Sequence, residues 1–449
     1  MNTLNKPPVV KVGILSDEKI EFGLYGDYFA YGFNQIFNGV IYAELKDNKI
    51  ICSIGRKTIE VSDKIQFDPS NEKVDYFLFN EIKVGEKFHW ENKEKERFRG
   101  SLLLKIYEEK IVVINLINIE DYLRSVISSE MSDKSTLQAL KAHAVVSRSW
   151  LLSHMYLKEQ TENKNEHVVE EKNVTEHITW IKRQEHKLYD VCATDHCQRY
   201  HGITRLSTGM ALRAVNETEG IVLTYQNEIC DTRYSKCCGG ITESFENVWE
   251  QKKIDYLTSV IDYKFEPENY SIDFSNEECS KKWILNSLPA FCNARDKNIL
   301  SNILIDYDQK TKDFYRWEVK YSQKTLAKII KEKTAIDFGD ILDLIPGVRG
   351  TSSRLITLKI IGSKKTLIVG KELEIRRILS STHLYSSAIV IEKQEVKDGV
   401  PQKFIIKGAG WGHGVGLCQI GAAVMSAEGY KFDEILSHYF SRAMLKKNY

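Results

Sequence analysis

The sequence has almost no net charge, no long apolar run and few cysteines for its length. Its 63 Lys and Arg residues balance 62 Asp and Glu residues, so no global field would recruit a nucleic acid. No apolar run approaches the roughly 18 residues of a membrane span, and residues 1–8 lack the apolar core of a signal peptide. We therefore expect no nucleic-acid partner, no transmembrane segment and no export signal in this sequence.

Nine cysteines among 449 residues are too sparse for a scaffold held together by disulfides. Because the number is odd, at least one thiol must be unpaired within the chain. The 42% hydrophobic and 10% aromatic content can form a large core in two or three structural units. The composition therefore predicts a globular protein.

Short runs rich in β-branched residues, separated by polar turns, fill the first 117 residues and return after residue 220. With helical segments between them, they predict an α+β fold in which β-rich units pack around a small helical core with insertions. The predicted strands are Val9–Ile14, Ile36–Leu45, Leu102–Ile106, Ile111–Leu116, Ile221–Thr224, Ile229–Tyr234, Leu355–Ile361, Ala388–Ile391 and Phe404–Lys407.

Two helices are predicted next to each other. Asn118 can cap a helix that runs from Ile119 towards Glu130, and Ser135 can cap a second from Thr136 to about Tyr156. Residues 158–187 are polar and charged with little periodicity, which predicts a solvated excursion. Shorter helices are expected at Lys324–Lys333, before Gly429 and before Phe440.

Glu130 interrupts the apolar face of the first helix. Leu123, Val126, Ile127 and Glu130 are spaced i, i+3, i+4 and i+7, so a carboxylate occupies the next core position. Desolvation and the negative end of the helix dipole should both raise the pKa of Glu130, as a general acid requires. The alternative is a glutamate at a frayed helix end that turns to solvent.

Arg148 falls on the apolar face of the second helix. It could anchor Glu130 or a substrate hydroxyl, or it could form an ion pair between the two helices. We also count Lys141 among the candidate substrate-binding residues.

The strings VINLINIEDYLRSVISSEM and LQALKAHAVVSRSW resemble the core of the SpoIID/LytB family, named after stage II sporulation protein D and the amidase enhancer LytB. Further blocks resemble that family in the same order, across roughly residues 97–440. They are RFRGSLLLK (97–105), DVCATDHCQRYHG (190–202), RYSKCCGGITESFENVW (233–249) and GAGWGHGVGLCQIGAAVMSAEG (408–429).

The resemblance implies lytic transglycosylase chemistry on peptidoglycan glycan strands, with the catalytic glutamate at Glu130. The best-known members act on strands stripped of stem peptides. One carboxyl suffices, because it protonates the glycosidic oxygen and then accepts the proton of the sugar's own 6-hydroxyl, which closes a 1,6-anhydro-MurNAc ring. No cofactor is needed for this reaction.

Two other functions remain open. The LytB branch suggests a non-catalytic, glycan-binding amidase enhancer, with a cell-wall amidase as partner. A hydrolytic glycosidase would need a second carboxylate, for which Asp121, Glu243 and Glu246 are candidates.

By resemblance, His413 and Gln419 belong to the substrate cleft. The glycines around His413 would let the backbone approach a ligand closely. The hydroxyls and amides of Tyr234, Ser235, Gly240 and Thr242 suit neutral sugar groups, although a plain turn between strands explains them nearly as well.

The resemblance also implies zinc at a Cys/His segment, with His186, Cys192, His196 and Cys197 as ligands and His201 as a competitor for the fourth place. Two sulfurs and two imidazoles are the ligands of a closed, structural zinc site. The alternatives are a Cys192–Cys197 disulfide or two free thiols.

The chain departs from the family pattern at His143, where Gln is usual, and at Cys418, where Ser is common.

The resemblance suggests four regions: a β-rich region (1–96), a SpoIID-like catalytic core with the polar insertion (97–260), an inserted α/β segment (261–345) and the rest of the core with the Gly-rich loop (346–449). The implied substrate points to the cell envelope, periplasm or exterior, whereas the missing export signal leaves the cytoplasm open.

Overall fold

A computed structural model of the chain describes residues 6–84, 92–132, 134–161, 172–173, 175–180, 186–194, 196–206, 209–264, 273–274, 276–294, 300–302 and 313–449. The strands are β1 (Val9–Asp17), β2 (Lys19–Ala30), β3 (Ile36–Lys46), β4 (Lys49–Ile54), β5 (Lys57–Val61), β6 (Lys64–Pro69), β7 (Tyr76–Val84), β8 (Asn92–Phe98), β9 (Ser101–Tyr107), β10 (Lys110–Asn118), β11 (Lys172–Asn173), β12 (Glu176–Ile178), β13 (Val191–Cys192), β14 (Ile221–Tyr225), β15 (Glu228–Ile229), β16 (Tyr234–Ser235), β17 (Arg316–Ser322), β18 (Ile341–Pro346), β19 (Thr357–Gly362), β20 (Thr366–Gly370), β21 (Ile389–Lys397), β22 (Val400–Ala409), β23 (Leu417–Cys418) and β24 (Met444–Lys447). The helices are α1 (Ile119–Glu130), α2 (Leu137–Thr161), α3 (Met210–Glu217), α4 (Glu277–Leu285), α5 (Gln323–Thr334), α6 (Glu372–Ile378), α7 (Gln419–Ala427), α8 (Phe432–Tyr439) and a 3₁₀ turn, Phe245–Asn247.

The chain divides into two compact units. The first comprises residues 1–144, 184–221 and 447–449, and the second comprises residues 145–183 and 222–446. The described residues form both helices and strands, and the strands are arranged in several sheets, which confirms the predicted α+β class. None of the helices in the described ranges is both long and apolar enough to cross a membrane.

An eleven-stranded sheet dominates the first unit, in the order β13-β1-β10-β9-β6-β2-β3-β4-β5, with β7 pairing with β2 and β8. Its core is aromatic: the ring centroids of Phe37 and Phe67 lie 5.3 Å apart, and so do those of Phe77 and Phe98. Tyr200 continues this row, 5.8 Å from Phe98. The row leads from the sheet to the base of α1.

Helix α1 follows β10 without a loop. The side chain of Asn118 caps it, accepting a hydrogen bond from the Glu120 amide at 2.8 Å, so the predicted cap and the predicted end at Glu130 are confirmed. The hydroxyl of Ser135, in contrast, is buried and has no hydrogen-bond partner among the described residues, so its side chain does not cap α2.

The second unit has a core of its own. Strands β17, β21 and β22 form one sheet, and β11, β12, β18, β19 and β20 form another. Helices α5 and α6 pack on these strands, burying Leu326, Ile330, Ile375 and Ile378 among aliphatic strand residues. The segment predicted to be helical at Lys324–Lys333 is α5.

The solvated excursion predicted for residues 158–187 is wrong at residues 175–180. Strand β12 pairs in parallel with β20, and the Thr179 amide donates to the Gly370 carbonyl at 2.6 Å. The Lys371 ammonium lies 3.8 Å from the centre of the Trp180 ring. Backbone pairing with a sheet edge holds this segment, and side-chain periodicity does not report such pairing. Residues 162–171, 174 and 181–185 lie outside the described residues.

The predicted boundaries of the four regions stay predictions. Strand β8 continues across the boundary predicted between residues 96 and 97.

Candidate functional site

Glu130 is the last residue of α1. The apolar positions before it, Leu123, Val126 and Ile127, are fully buried, so the predicted stripe is the face that α1 packs into the core. Glu130 itself is half-buried, and its Oε1 accepts a hydrogen bond from the Arg199 amide at 3.1 Å. A carboxylate at the edge of the core is thus held by a backbone donor from a distant segment.

The segment that supplies this donor is docked on the sheet. Strand β13 pairs in parallel with β1, and the Lys11 amide donates to the Asp190 carboxylate at 2.8 Å. Farther along, the Tyr200 hydroxyl donates to Asn115 Oδ1 at 2.6 Å. The rings of Tyr122 and Tyr200 stack with 5.1 Å between centroids, so the segment is fixed to both β10 and α1.

The four predicted metal ligands lie together. The ligand atoms of His186, Cys192, His196 and Cys197 are all within 4.8 Å of one another. The Cys197 sulfur is 3.4 Å from His186 Nε2 and 3.5 Å from His196 Nδ1, and the Cys192 sulfur is 3.7 Å from His196 Nδ1. All nine cysteines of the chain are among the described residues and carry free thiols.

These distances fit a tetrahedral zinc ion. Zn–S bonds of about 2.3 Å and Zn–N bonds of about 2.1 Å would place sulfur and nitrogen ligands about 3.6 Å apart. Hydrogen bonding with Cys197, and to a smaller extent with the two imidazoles and Thr194, holds the pKa of the Cys192 thiol well below its ordinary value, although burial acts in the opposite direction. The thiolate that results is the metal-binding form of cysteine.

His201, the competing ligand, lies elsewhere. Its Nδ1 contacts the buried carboxylate of Glu96, and its amide donates to the Ser125 hydroxyl at 3.1 Å. A cleft of about 520 Å³ opens beside the Cys/His cluster and is lined by His186, Cys192 and His196 together with Gly13 and Tyr107.

The two predicted binding residues on α2 have different surroundings. The Lys141 ammonium forms an ion pair with Glu217, which also pairs with Arg213 at 2.5 Å. Arg148 belongs to the second unit and is fully buried. Their contact with a substrate stays a prediction.

In the second unit, the turn at Gly239–Gly240 and the Gly-rich loop at residues 408–416 lie side by side. Strands β16 and β23 pair in parallel, with Tyr234 opposite Leu417 and Ser235 opposite Cys418. At Gly240, φ is +109° and an added Cβ would lie 2.9 Å from the Trp283 ring, so only glycine fits there.

Two of the predicted polar residues point inward. The hydroxyl of Thr242 accepts from the Val260 amide at 2.7 Å, and Gln419 is buried at the start of α7. The Ser235 hydroxyl is also buried, and no hydrogen-bond partner for it lies in the described ranges.

His413 is held as a neutral imidazole. Its Nδ1 accepts from the Val415 amide at 3.0 Å, and its ring packs edge-on against Trp249 at 4.6 Å. Desolvation lowers the pKa of His413 well below its ordinary value, with further lowering by Arg233, Arg376 and Arg354, while a hydrogen bond to the Tyr234 backbone acts the other way.

Glu243 is fully buried and receives hydrogen bonds on both oxygens. Its Oε1 accepts from Ser244 N, Asn247 Nδ2, Thr351 N and Thr351 Oγ1, and its Oε2 accepts from Ser352 N and Ser352 Oγ. The Arg354 guanidinium donates to Ser352 Oγ at 2.7 Å and to the Gly412 carbonyl at 3.2 Å. Glu243 therefore anchors loops, including the one that carries His413.

Comparison with known proteins finds matches in both units. Residues 107–225 match the family model described as Stage II sporulation protein. Stage II sporulation protein D of Bacillus amyloliquefaciens is 22% identical over 335 residues, 75% of this chain and 76% of that protein. The Amidase enhancer of Bacillus subtilis is 24% identical over 239 residues, 51% of this chain but only 31% of that protein.

These matches support a likeness of the chain to the SpoIID/LytB family. An uncharacterized protein of Brachyspira hyodysenteriae is also similar to this chain, at 26% identity over 77% of the chain and 71% of that protein. Residues 243–416 match a domain of unknown function, DUF8618. Glu130 and the Cys/His cluster lie inside the SpoIID match, whereas His413 lies in the DUF8618 match.

Two features of the site have no signature in the sequence. The Arg199 donor is a backbone amide, which has no side-chain signature. The anchoring role of Glu243 depends on residues more than 100 positions away, whereas its residue type alone makes it only a candidate second carboxylate.

Proposed function

We propose that the protein is a peptidoglycan lytic transglycosylase that uses Glu130 as acid and then as base. Similarity to the SpoIID/LytB family and the names of the relatives support a cell-wall-related role. The observation that carries the finer proposal is the half-buried Glu130 carboxyl at the end of an apolar helix face, held through Oε1 by the Arg199 amide.

The Arg199 amide assigns different tasks to the two carboxyl oxygens. Because Oε1 accepts an N–H, we assign the acidic proton of the reaction to Oε2 of Glu130. Oε2–H protonates the glycosidic oxygen, and the C1–O bond breaks as positive charge develops at C1. The Glu130 carboxylate then takes the proton of the 6-hydroxyl, whose oxygen attacks C1 and closes the 1,6-anhydro ring.

Hydrolysis would require a second carboxylate, and two of its candidates are poorly suited. Asp121 lies nine residues before Glu130 on the same helix, roughly 14 Å away along the axis, beyond the roughly 5–9.5 Å that separates glycosidase carboxylates. The oxygens of Glu243 are occupied by internal donors. Glu246 lies half-buried in the 3₁₀ turn.

We also propose that His186, Cys192, His196 and Cys197 hold a structural zinc ion. Its four protein ligands leave no open position for chemistry. Arg199 follows Cys197 by two residues, so an ion at this cluster would fix the backbone that donates to Glu130.

The test is incubation of the protein with denuded and with peptide-bearing glycan strands, followed by mass spectrometry of the products. Wild type should release 1,6-anhydro ends. Glu130→Gln should lower the cleavage rate at least about 100-fold, as expected for loss of a general acid and base. Asp121→Asn is the control on the same helix and should cleave normally.

Two other outcomes would contradict the proposed lytic transglycosylase activity. Reducing ends instead of anhydro ends would indicate hydrolysis. Binding to glycan without cleavage by wild type, with stimulation of an amidase, would favour the second candidate, which rests on the similarity to the Amidase enhancer.

A further inference from the structure

A second cluster of metal-binding side chains lies in the second unit. The ligand atoms of Cys238, Asp262, Cys292 and Cys418 are within 4.8 Å of one another, and all four residues are buried. The Cys238 sulfur is 3.6 Å from the Cys292 sulfur and 3.4 Å from Asp262 Oδ2. Four distant parts of the chain thus converge on one point.

The spacing suits a single tetrahedral ion. Zn–S bonds of about 2.3 Å and Zn–O bonds of about 2.1 Å would separate two sulfurs by about 3.8 Å and a sulfur from an oxygen by about 3.6 Å. Thiolates favour zinc over the hard cations magnesium and calcium. A carboxylate is an established zinc ligand.

Backbone amides donate hydrogen bonds to two sulfurs of the cluster. The amides of Cys238 and Gly421 donate to the Cys418 sulfur at 3.2 and 3.4 Å, and the Gly240 amide donates to the Cys238 sulfur at 3.4 Å. Amide donors of this kind stabilise thiolates and orient metal ligands.

Hydrogen bonds also orient the Asp262 carboxylate. Its Oδ1 accepts from the Tyr439 hydroxyl at 2.6 Å, and its Oδ2 accepts from the Cys292 amide at 3.0 Å. These partners are neutral, although Asp262 is fully buried. A buried carboxylate is costly without a cation, and a metal ion would supply the missing positive charge.

We propose that Cys238, Asp262, Cys292 and Cys418 bind a structural zinc ion in the second unit. The ion joins the turn at Gly239–Gly240 to the start of α7, because Cys238 precedes the turn and Cys418 is the N-cap of that helix. It therefore braces the loop that carries His413. Cys237, whose sulfur also contacts those of Cys292 and Cys418, is the competitor for the fourth place.

The first measurement is zinc per folded chain by native mass spectrometry. To remove the Cys/His cluster from the count, the full chain carries Cys192→Ser and Cys197→Ser. This variant should retain one zinc ion, and X-ray absorption should give three sulfur neighbours and one oxygen. Adding Cys292→Ser should release that ion, whereas Cys230→Ser, at a buried cysteine outside both clusters, should not.

Two milder variants keep the test usable if Cys292→Ser does not fold. Tyr439→Phe removes the hydroxyl that holds Asp262 and should weaken zinc retention against a chelator about 10–100-fold. Asp262→Asn should weaken it more than Cys237→Ser; the reverse order would overturn the assignment of the fourth ligand.

The proposal is overturned if the folded Cys192→Ser, Cys197→Ser variant contains no zinc after expression in zinc-supplemented medium. It is equally overturned by iron in place of zinc, or by a Cys238–Cys292 disulfide in peptide mapping without reductant. None of these results depends on glycan cleavage, so they leave the transglycosylase proposal to its own test.

Discussion

Replacing Glu243 by Gln should destabilise the second unit, because the network around its carboxylate is built entirely from donors. Four donors converge on Oε1 and two on Oε2. A glutamine at this position loses the fewest hydrogen bonds when its NH2 group occupies the Oε2 position, because only two donors point there. That group then faces the Ser352 amide, 3.1 Å away in the wild type, and leaves this buried N–H without an acceptor.

The magnitude follows from three contributions. A buried unsatisfied N–H costs about 1–3 kcal/mol, and the four remaining bonds weaken because they lose a charged acceptor. The neutral amide is easier to desolvate than a carboxylate, which offsets part of this loss. We expect a net decrease of about 3 kcal/mol in the free energy of unfolding, within the range for breaking buried charged networks.

Hydrogen exchange is the assay of choice, because a chain of two units need not unfold in one step. The Thr351 and Ser352 amides should exchange more than about 100-fold faster in Glu243→Gln, which corresponds to about 3 kcal/mol. Glu250→Gln, at an exposed glutamate nearby, should leave both amides unchanged. Unchanged protection in Glu243→Gln would refute the anchoring role of this carboxylate.

Three further changes test other parts of the molecule. Asn118→Ala should lower the free energy of unfolding by about 1 kcal/mol in urea titrations, because the Glu120 amide loses its cap, whereas Asn118→Ser should retain most of it. Burial lowers the pKa of His413 below 6.5, so below about pH 6.5 the unfolded chain binds more protons than the folded chain. The contribution of the neutral His413 to the free energy of unfolding is therefore fully present above about pH 6.5 and is lost as the pH decreases. His413→Asn should make this fall shallower by at most about 1.4 kcal/mol per pH unit, and an equal slope in both proteins would contradict the assignment. Cys192→Ser should lose one zinc ion and slow glycan cleavage about 10–100-fold through the displaced Arg199 amide; full activity without that ion would separate the metal from the positioning of Glu130.

Local patterns in the sequence predicted the elements around Glu130 well. The cap at Asn118, the apolar stripe and the end of α1 depend on hydrogen bonds and spacings between residues two to four positions apart, and these are encoded by neighbouring residue types. The Cys/His cluster could also be predicted from the sequence, because its four residues lie within twelve positions of the chain and resemble a family motif.

Local patterns failed where pairing partners are distant. Strand β12 lies in a charged segment, and it is held by backbone bonds to β20, almost 200 residues later. Such bonds leave no periodic side-chain pattern, so the segment resembled a solvated loop.

The sequence by itself determined the α+β class, the helix that carries Glu130 and the composition of the Cys/His cluster, since each depends on residue type and short spacing. Only the tertiary structure decided that the Arg199 amide reaches Glu130, that Glu243 is an internal anchor, and that Cys238, Asp262, Cys292 and Cys418 meet. These contacts join residues from 24 to 180 positions apart. They form only when the packing of the whole unit offsets the entropy of closing such loops, and residue order does not encode that packing locally.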